Sequence, residues 1–324
     1  MNSIIINSKT DLIKAREHLI QESIFSVSYF DMFINYYDAE PKTIESYKNG
    51  LKSFSNWLAL NNIVKPTRED LKDYRDNYLK ANGYKATTIH AYINAIKRFF
   101  EFTSEVNIYP NIAVNLKSAK INNAIHRKDA LTLEQSRELL NSIDTSTEEG
   151  KRDFAIISLV LTAGLRVSEV VNININDIMN RNGYRALYIK GKGHEEKDSF
   201  NKIAPQVDES IRDYLLLRAP KCNTEPLFTS IAHQNKGERL TSRSVSRIIK
   251  NALRSIGLDS ERLTAHSLRH TTATINTKIN KASLEDTREL LRHASTNTTL
   301  IYINDNNRDE NNSELLIANA LFCY

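Results

Sequence analysis

Apolar side chains recur at three- and four-residue intervals through segment after segment of this chain. That spacing restricts it to a mainly helical fold. Ile44, Tyr47, Leu51, Phe54 and Leu58 share one helical face. Thr67 and Asp70 have the spacing of a capping box ahead of Leu71, Tyr74 and Tyr78. Thr87 and Thr88 open a segment with Ile89, Tyr92, Ile93, Ile96 and Phe100 on one side. Pro41, Pro66 and Pro110 punctuate these stretches. With a further helix at about 26–37, they predict a four- or five-helix N-terminal domain.

The pattern breaks at 110–129, where Lys117, Lys120, His126, Arg127 and Lys128 fall in a stretch without periodicity. This reads as an interdomain linker, either wrapping a polyanion or serving as a solvated tether. Thr132 and Gln135 then form a second capping-box pattern. An apolar helix follows at 151–163. Residues 186–190, ALYIK, a Gly-Lys-Gly turn and a polar stretch to Ile203 give the one good hairpin. Helices are expected at about 207–218, 241–256, 266–280, 283–292 and 312–322. The expected fold class is mainly α: a helical N-terminal domain plus a mixed, mostly helical second domain with a small β-hairpin. The expected divisions are an extension over 1–25, a helical domain over 26–116, a basic linker over 117–129 and a second domain over 130–324. The extension has room for a short helix at 11–21, and the second domain ends in a tail, 303–324. At 324 residues, two domains fit the usual allotment of about 150 residues each.

Composition narrows the functional classes. The longest apolar run, residues 154–165, is too short to cross a bilayer. The N-terminus lacks the form of a signal peptide. Cys222 and Cys323 are the only cysteines, so no disulfide framework or four-cysteine zinc site is available and a reducing, cytoplasmic location is expected. Glycine is scarce, at 9 residues, and no phosphate-binding glycine loop is present. The net charge of +5 admits a nucleic-acid partner without demanding one.

Charge placement says more than charge total. In 241–256, Arg243, Arg247, Lys250 and Arg254 fall on one helical face, with Val245, Ile248, Ile249, Ala252, Leu253 and Ile256 opposite. No acid interleaves on the basic face. It suits either an anionic partner or plain solvent. Lys97 and Arg98 are the corresponding candidates for contact with such an anionic partner in the first domain.

Five short strings carry the chemistry: AGLRVSE at 163–169, IKGKG at 189–193, HSLRH at 266–270, LLRHAS at 290–295 and TTLIY at 298–302. Singly, each has an ordinary structural explanation. Together and in this order, with nine positions from His293 to Tyr302, they resemble the signature of the tyrosine recombinases, the lambda-integrase-like family that includes Xer, Cre and the phage integrases. The motifs cover about 130–305, and the helical first domain is similar to the family's SAM-like core-binding domain.

The resemblance implies a catalytic set. Tyr302 is the nucleophile, leaving a 3′-phosphotyrosine that conserves phosphodiester energy, so no ATP and no cofactor or metal is needed. Arg166 and Arg269 grip the non-bridging oxygens, Lys192 is the general acid, His266 exchanges protons at the phosphate, His293 contacts a non-bridging oxygen and Glu169 orients an arginine. Lys190 and Lys197 stand near Lys192 as alternatives, because the segment after the Gly-Lys-Gly turn is longer than in Xer proteins. Ala265 stands where the family often has proline. Arg292 stands where relatives commonly have glycine, and could touch DNA or pair with an acid.

The implied partner is double-stranded DNA with inverted half-sites, held in a clamp formed by the two domains. Two synapsed sites would assemble a homotetramer through a Holliday junction. The apolar helix at 313–322 would dock in trans, with docking in cis as the alternative. An accessory protein is admitted; a membrane is not. The role expected is Xer-like dimer resolution or mobile-element integration. Type IB topoisomerase-like relaxation and a non-catalytic DNA-binding regulator are the competing functions.

Overall fold

The computed structural model describes residues 27–120, 129–190, 196–293 and 299. Expectations for the 1–25 extension, Lys192, Tyr302 and the 303–324 tail with its 313–322 helix lie outside the described residues. The chain divides into two compact units, Met1–Asn122 and Asn123–Tyr324.

The described part of the first unit is helical. It comprises α1 (Val27–Tyr36), α2 (Pro41–Leu60), α3 (Arg68–Asp73) and α4 (Ala86–Glu105), with α3 running on into a π-helical stretch, Tyr74–Lys80. Thr67 caps α3 through the expected box: its backbone N–H donates to Asp70 Oδ2 at 2.7 Å while its hydroxyl accepts from the Asp70 N–H. The face predicted from Leu51, Phe54 and Leu58 is buried against Ile89, Ile93, Ile96 and Phe100 of α4. Gly50 lets α2 and α4 approach closely, since a Cβ there would sit 2.9 Å from Ala95 Cβ. Phe33 of α1 closes the core edge-on to Phe99, with ring centroids 5.5 Å apart.

The second unit is built on α6, after α5 (Leu133–Asn141). Helix α6 (Glu148–Ala163) has Ala155, Ile156, Ile157, Leu159 and Val160 fully buried. A helix apolar on nearly all sides must be covered on nearly all sides. The cover includes α8 (Pro205–Arg218), α9 (Ser242–Ser255), α10 (Ala265–Thr274, continuing as a π-helical turn Ile275–Ile279) and a small sheet. A short α7 (Val167–Val171) and α11 (Leu284–Leu291) are its remaining α-helices of five or more residues among the described residues.

The sheet is three-stranded and antiparallel, in the order β1 (Ile178–Arg181), β2 (Tyr184–Ile189), β3 (Ser199–Ile203). The expected hairpin is the β2–β3 pair, in register from Arg185↔Ile203 to Ile189↔Ser199. The β1–β2 hairpin adds a strand that the single expected hairpin left out. Its turn residues, Asn182 and Gly183, both have positive φ, 47° and 82°, as a tight hairpin turn requires. Among the described residues no helix is long and apolar enough to cross a membrane.

Candidate active site

The site forms where α6 ends. Gly164 terminates the helix in left-handed geometry at φ 59°, and a Cβ there would meet Leu291 Cδ2 at 2.5 Å. The turn delivers Arg166 to the N-cap of α7. From there its backbone N–H donates to Glu169 Oε2 at 2.8 Å and its Nη1 to Glu169 Oε1 at 2.7 Å. Arg166 thus points from a rigid turn with its side chain 31% exposed, while Glu169 is 5% exposed.

Arg269 reaches the same carboxylate from α10. It is 1% exposed, and its Nη1 lies 3.9 Å from Glu169 Oε2. Nη1 also donates to the Gly164 carbonyl and Nη2 to the Leu291 carbonyl. One guanidinium therefore ties the end of α6 to the end of α11. His266, three residues earlier on α10, is exposed and shares the helical face of Arg269.

Two side chains absent from the expected catalytic set join the cluster. Arg292 follows α11 and donates from Nη2 to Glu169 Oε2 at 2.6 Å. Of the two fates open to it in the sequence, contact with DNA or pairing with an acid, the structure shows the second. Its Nη1 donates to Asn201 Oδ1 and to the Leu290 carbonyl. Asn201, buried on β3, donates from Nδ2 to the carbonyls of Ala163 and Leu290 at 3.2 and 3.1 Å. Asn201 carries no sequence signal, because its role depends on non-local packing.

His293 is 3% exposed, with Nδ1 2.9 Å from the Thr299 hydroxyl. Burial pushes its pKa down to about 3, reinforced by the charges of Arg269, Arg166, Arg292 and His266. The imidazole is therefore neutral at physiological pH. Burial pushes the Glu169 carboxyl up, but Arg292, the Arg166 N–H and the Arg166 and Arg269 charges hold it below the usual carboxylate range. The result is a carboxylate favoured in its ionised form within a concentration of positive charge. Such a cluster concentrates positive charge and hydrogen-bond donors suited to an anionic group, with the part-exposed Arg166 as its accessible member.

Of the lysines near the hairpin, Lys197 is committed elsewhere: its Nζ pairs with Asp177 and donates to the Asn172 carbonyl at 3.2 Å. Lys190 is exposed at the end of β2.

On α9, Val245, Ile249 and Leu253 are buried and Arg243 and Arg247 are exposed. The four cations are not equivalent, however. Asp259, beyond the helix, pairs with Lys250 and Arg254 at 3.0 Å each. This acid was invisible to a search of the helical face alone. In the first unit Lys97 and Arg98 line a cleft with His90 and Asn94, and Arg98 pairs with Glu101 at 2.6 Å.

Comparison with known proteins identifies the family. Residues 129–309 match the phage integrase family, and residues 28–105 match the phage integrase N-terminal SAM-like domain. Tyrosine recombinase XerC of Caldanaerobacter subterraneus subsp. tengcongensis is 29% identical over 90% of this chain and 86% of its own length. Tyrosine recombinase XerC of Herpetosiphon aurantiacus is 31% identical over 82% of this chain and 85% of its own. The post-cleavage complex of XerH site-specific recombinase with a palindromic difH substrate aligns over 98% of this chain and 90% of its own, with TM-score 0.71 and 21% identity, and so shares the fold. The chain belongs to the phage integrase family and is a tyrosine site-specific recombinase.

Proposed function

We propose that this recombinase cuts and rejoins duplex DNA at a specific site through a covalent 3′-phosphotyrosine at Tyr302. The phenolic oxygen attacks the scissile phosphorus as its proton passes to His266, the bond to the 5′-oxygen breaks, and Lys192 protonates that oxygen so that it leaves as the 5′-hydroxyl. The exchange conserves the number of phosphoester bonds, which is why strand rejoining needs no ATP. Arg166 and Arg269 neutralise the non-bridging oxygens as charge builds on the phosphorane-like transition state. Neutral His293 donates to one of those oxygens. We assign it the Nε2–H tautomer, with the Thr299 hydroxyl donating to Nδ1. His266 exchanges protons at the phosphate, and Glu169 fixes the Arg166 fork.

The observation that carries this reading is the convergence of Arg166, Arg269 and His293, from three separate sequence motifs, on one buried carboxylate region. Both units bind DNA in this account, unit one through Lys97 and Arg98 and unit two chiefly through Arg243 and Arg247. Two protomers occupy inverted half-sites, and two such sites synapse as a tetramer that resolves through a Holliday junction, with the 313–322 helix docking in trans. Relaxation by a monomer and non-catalytic regulation find no support among the relatives.

The test begins by selecting the bound site from genomic DNA and nicking it into a suicide substrate. Wild type should form a protease-sensitive covalent 3′ adduct and Tyr302→Phe should not, although it binds equally well. An adduct that persists in Tyr302→Phe would sink the proposal. The genomic position of the recovered site then separates dimer resolution from mobile-element integration.

A further inference from the structure

Arg292 occupies a backbone position that favours glycine. Its φ is 54°, in the left-handed region at the end of α11. An arginine held there must contribute through its side chain. That side chain is 8% exposed and turned into the protein. One nitrogen meets Glu169 Oε2 at 2.6 Å and the other meets the Leu290 carbonyl at 2.9 Å and Asn201 Oδ1.

Charge counting shows what this does. Glu169 is a single carboxylate facing Arg166 and Arg269, the two guanidinium groups assigned to the phosphate. With those three groups alone, one of the two positive charges would be cancelled by Glu169 before DNA arrived. Arg292 supplies a third positive charge, on the same carboxylate oxygen that Arg269 approaches. It restores a net surplus of two while leaving Glu169 in place to orient Arg166.

We propose that Arg292 is a positioning residue for strand cleavage: it offsets the charge of Glu169, so that Arg166 and Arg269 present their full charge to the scissile phosphate. This inference rests on the assignment of Arg166 and Arg269 to the phosphate. Arg292 does not itself touch DNA, and acts only through Glu169 and Asn201.

The test measures single-turnover cleavage of the suicide substrate at saturating protein for wild type, Arg292→Gly, Arg292→Met and Arg292→Lys, with DNA affinity and thermal midpoint for each. Glycine adopts the backbone without strain, which offsets part of the loss of the buried ion pair, so Arg292→Gly should remain folded, as its thermal midpoint will show. Cleavage by the Gly and Met variants should fall by roughly 10- to 100-fold, the usual consequence of removing a group that supports a catalytic side chain. Their affinity should stay within about twofold, because the phosphate-gripping residues remain. Lys, which keeps the charge, should recover most of the loss relative to Met. Wild-type rates in all three variants would overturn the inference. So would a Lys variant no faster than Met, since shape rather than charge would then be at stake. Absence of an adduct with wild type would instead strike at the recombinase chemistry itself.

Discussion

Arg166 and Arg269 are the same residue type in different environments. Arg269 is sealed in and anchors two helix ends through backbone carbonyls, whereas Arg166 stands part-exposed on a turn with Glu169 as its brace. Substituting Lys at 166 keeps a charge but loses the planar fork. Arg166→Lys should therefore slow covalent adduct formation by about 100-fold, the scale of losing one transition-state donor. Filter binding should show affinity nearly unchanged, and a rate within a few-fold of wild type would contradict the assignment. His293 makes a different prediction. Its imidazole is held neutral, with a pKa pushed down to about 3, against about 6.5 in an unfolded chain. As pH falls below 6.5 the unfolded chain takes up a proton that the folded chain refuses, so stability present above pH 6.5 is progressively lost on acidification. The thermal midpoint should drop between pH 7 and pH 5, and drop less in His293→Asn. Parallel pH profiles for the two proteins would show that His293 is not the group responsible. The motif strings made Arg166, His266, Arg269 and His293 legible in the sequence. Asn201 and Thr299 were not, because each acts through a partner distant in the fold or hidden in ordinary polar sequence.

Several helix ends were written in local chemistry. The Thr67–Asp70 and Thr132–Gln135 boxes cap helices where their spacing says they should. The β1–β2 hairpin was missed although Asn182-Gly183 is a strong turn signal, because Met179, Asn180 and Arg181 are exposed and show no apolar alternation. Gly164 is the element end on which the site depends. A side chain there would be strained at φ 59° and would press on Leu291, which directly precedes Arg292 and His293 in the chain. Gly164→Ala should destabilise the protein by about 2 kcal/mol or more, combining left-handed strain with local overpacking. Urea unfolding of the full chain measures this directly. A loss below about 0.5 kcal/mol would show that Leu291 yields without consequence.

Across the whole molecule, the two family matches divide the chain between a SAM-like helical unit and the unit bearing the motifs. The sequence made the mainly helical class and the family evident. It overstated the uniformity of the basic face on α9, because Asp259 lies outside the helix whose face was read. This gives a graded prediction. Arg243→Gln and Arg247→Gln should each lower the slope of log affinity against log salt by about 0.9, one phosphate contact apiece. Arg254→Gln, removing a cation already paired with Asp259, should change it by less than half as much. Equal effects at all positions would mean that DNA displaces Asp259. The central claim is the covalent intermediate itself. The adduct from a nicked recognition site should be digested with trypsin and its DNA-linked peptide identified by mass spectrometry. The account predicts a 3′-phosphate joined to Tyr302 within the peptide 293–308. A phosphate attached to any other residue, or to the 5′ end of the break, would contradict it.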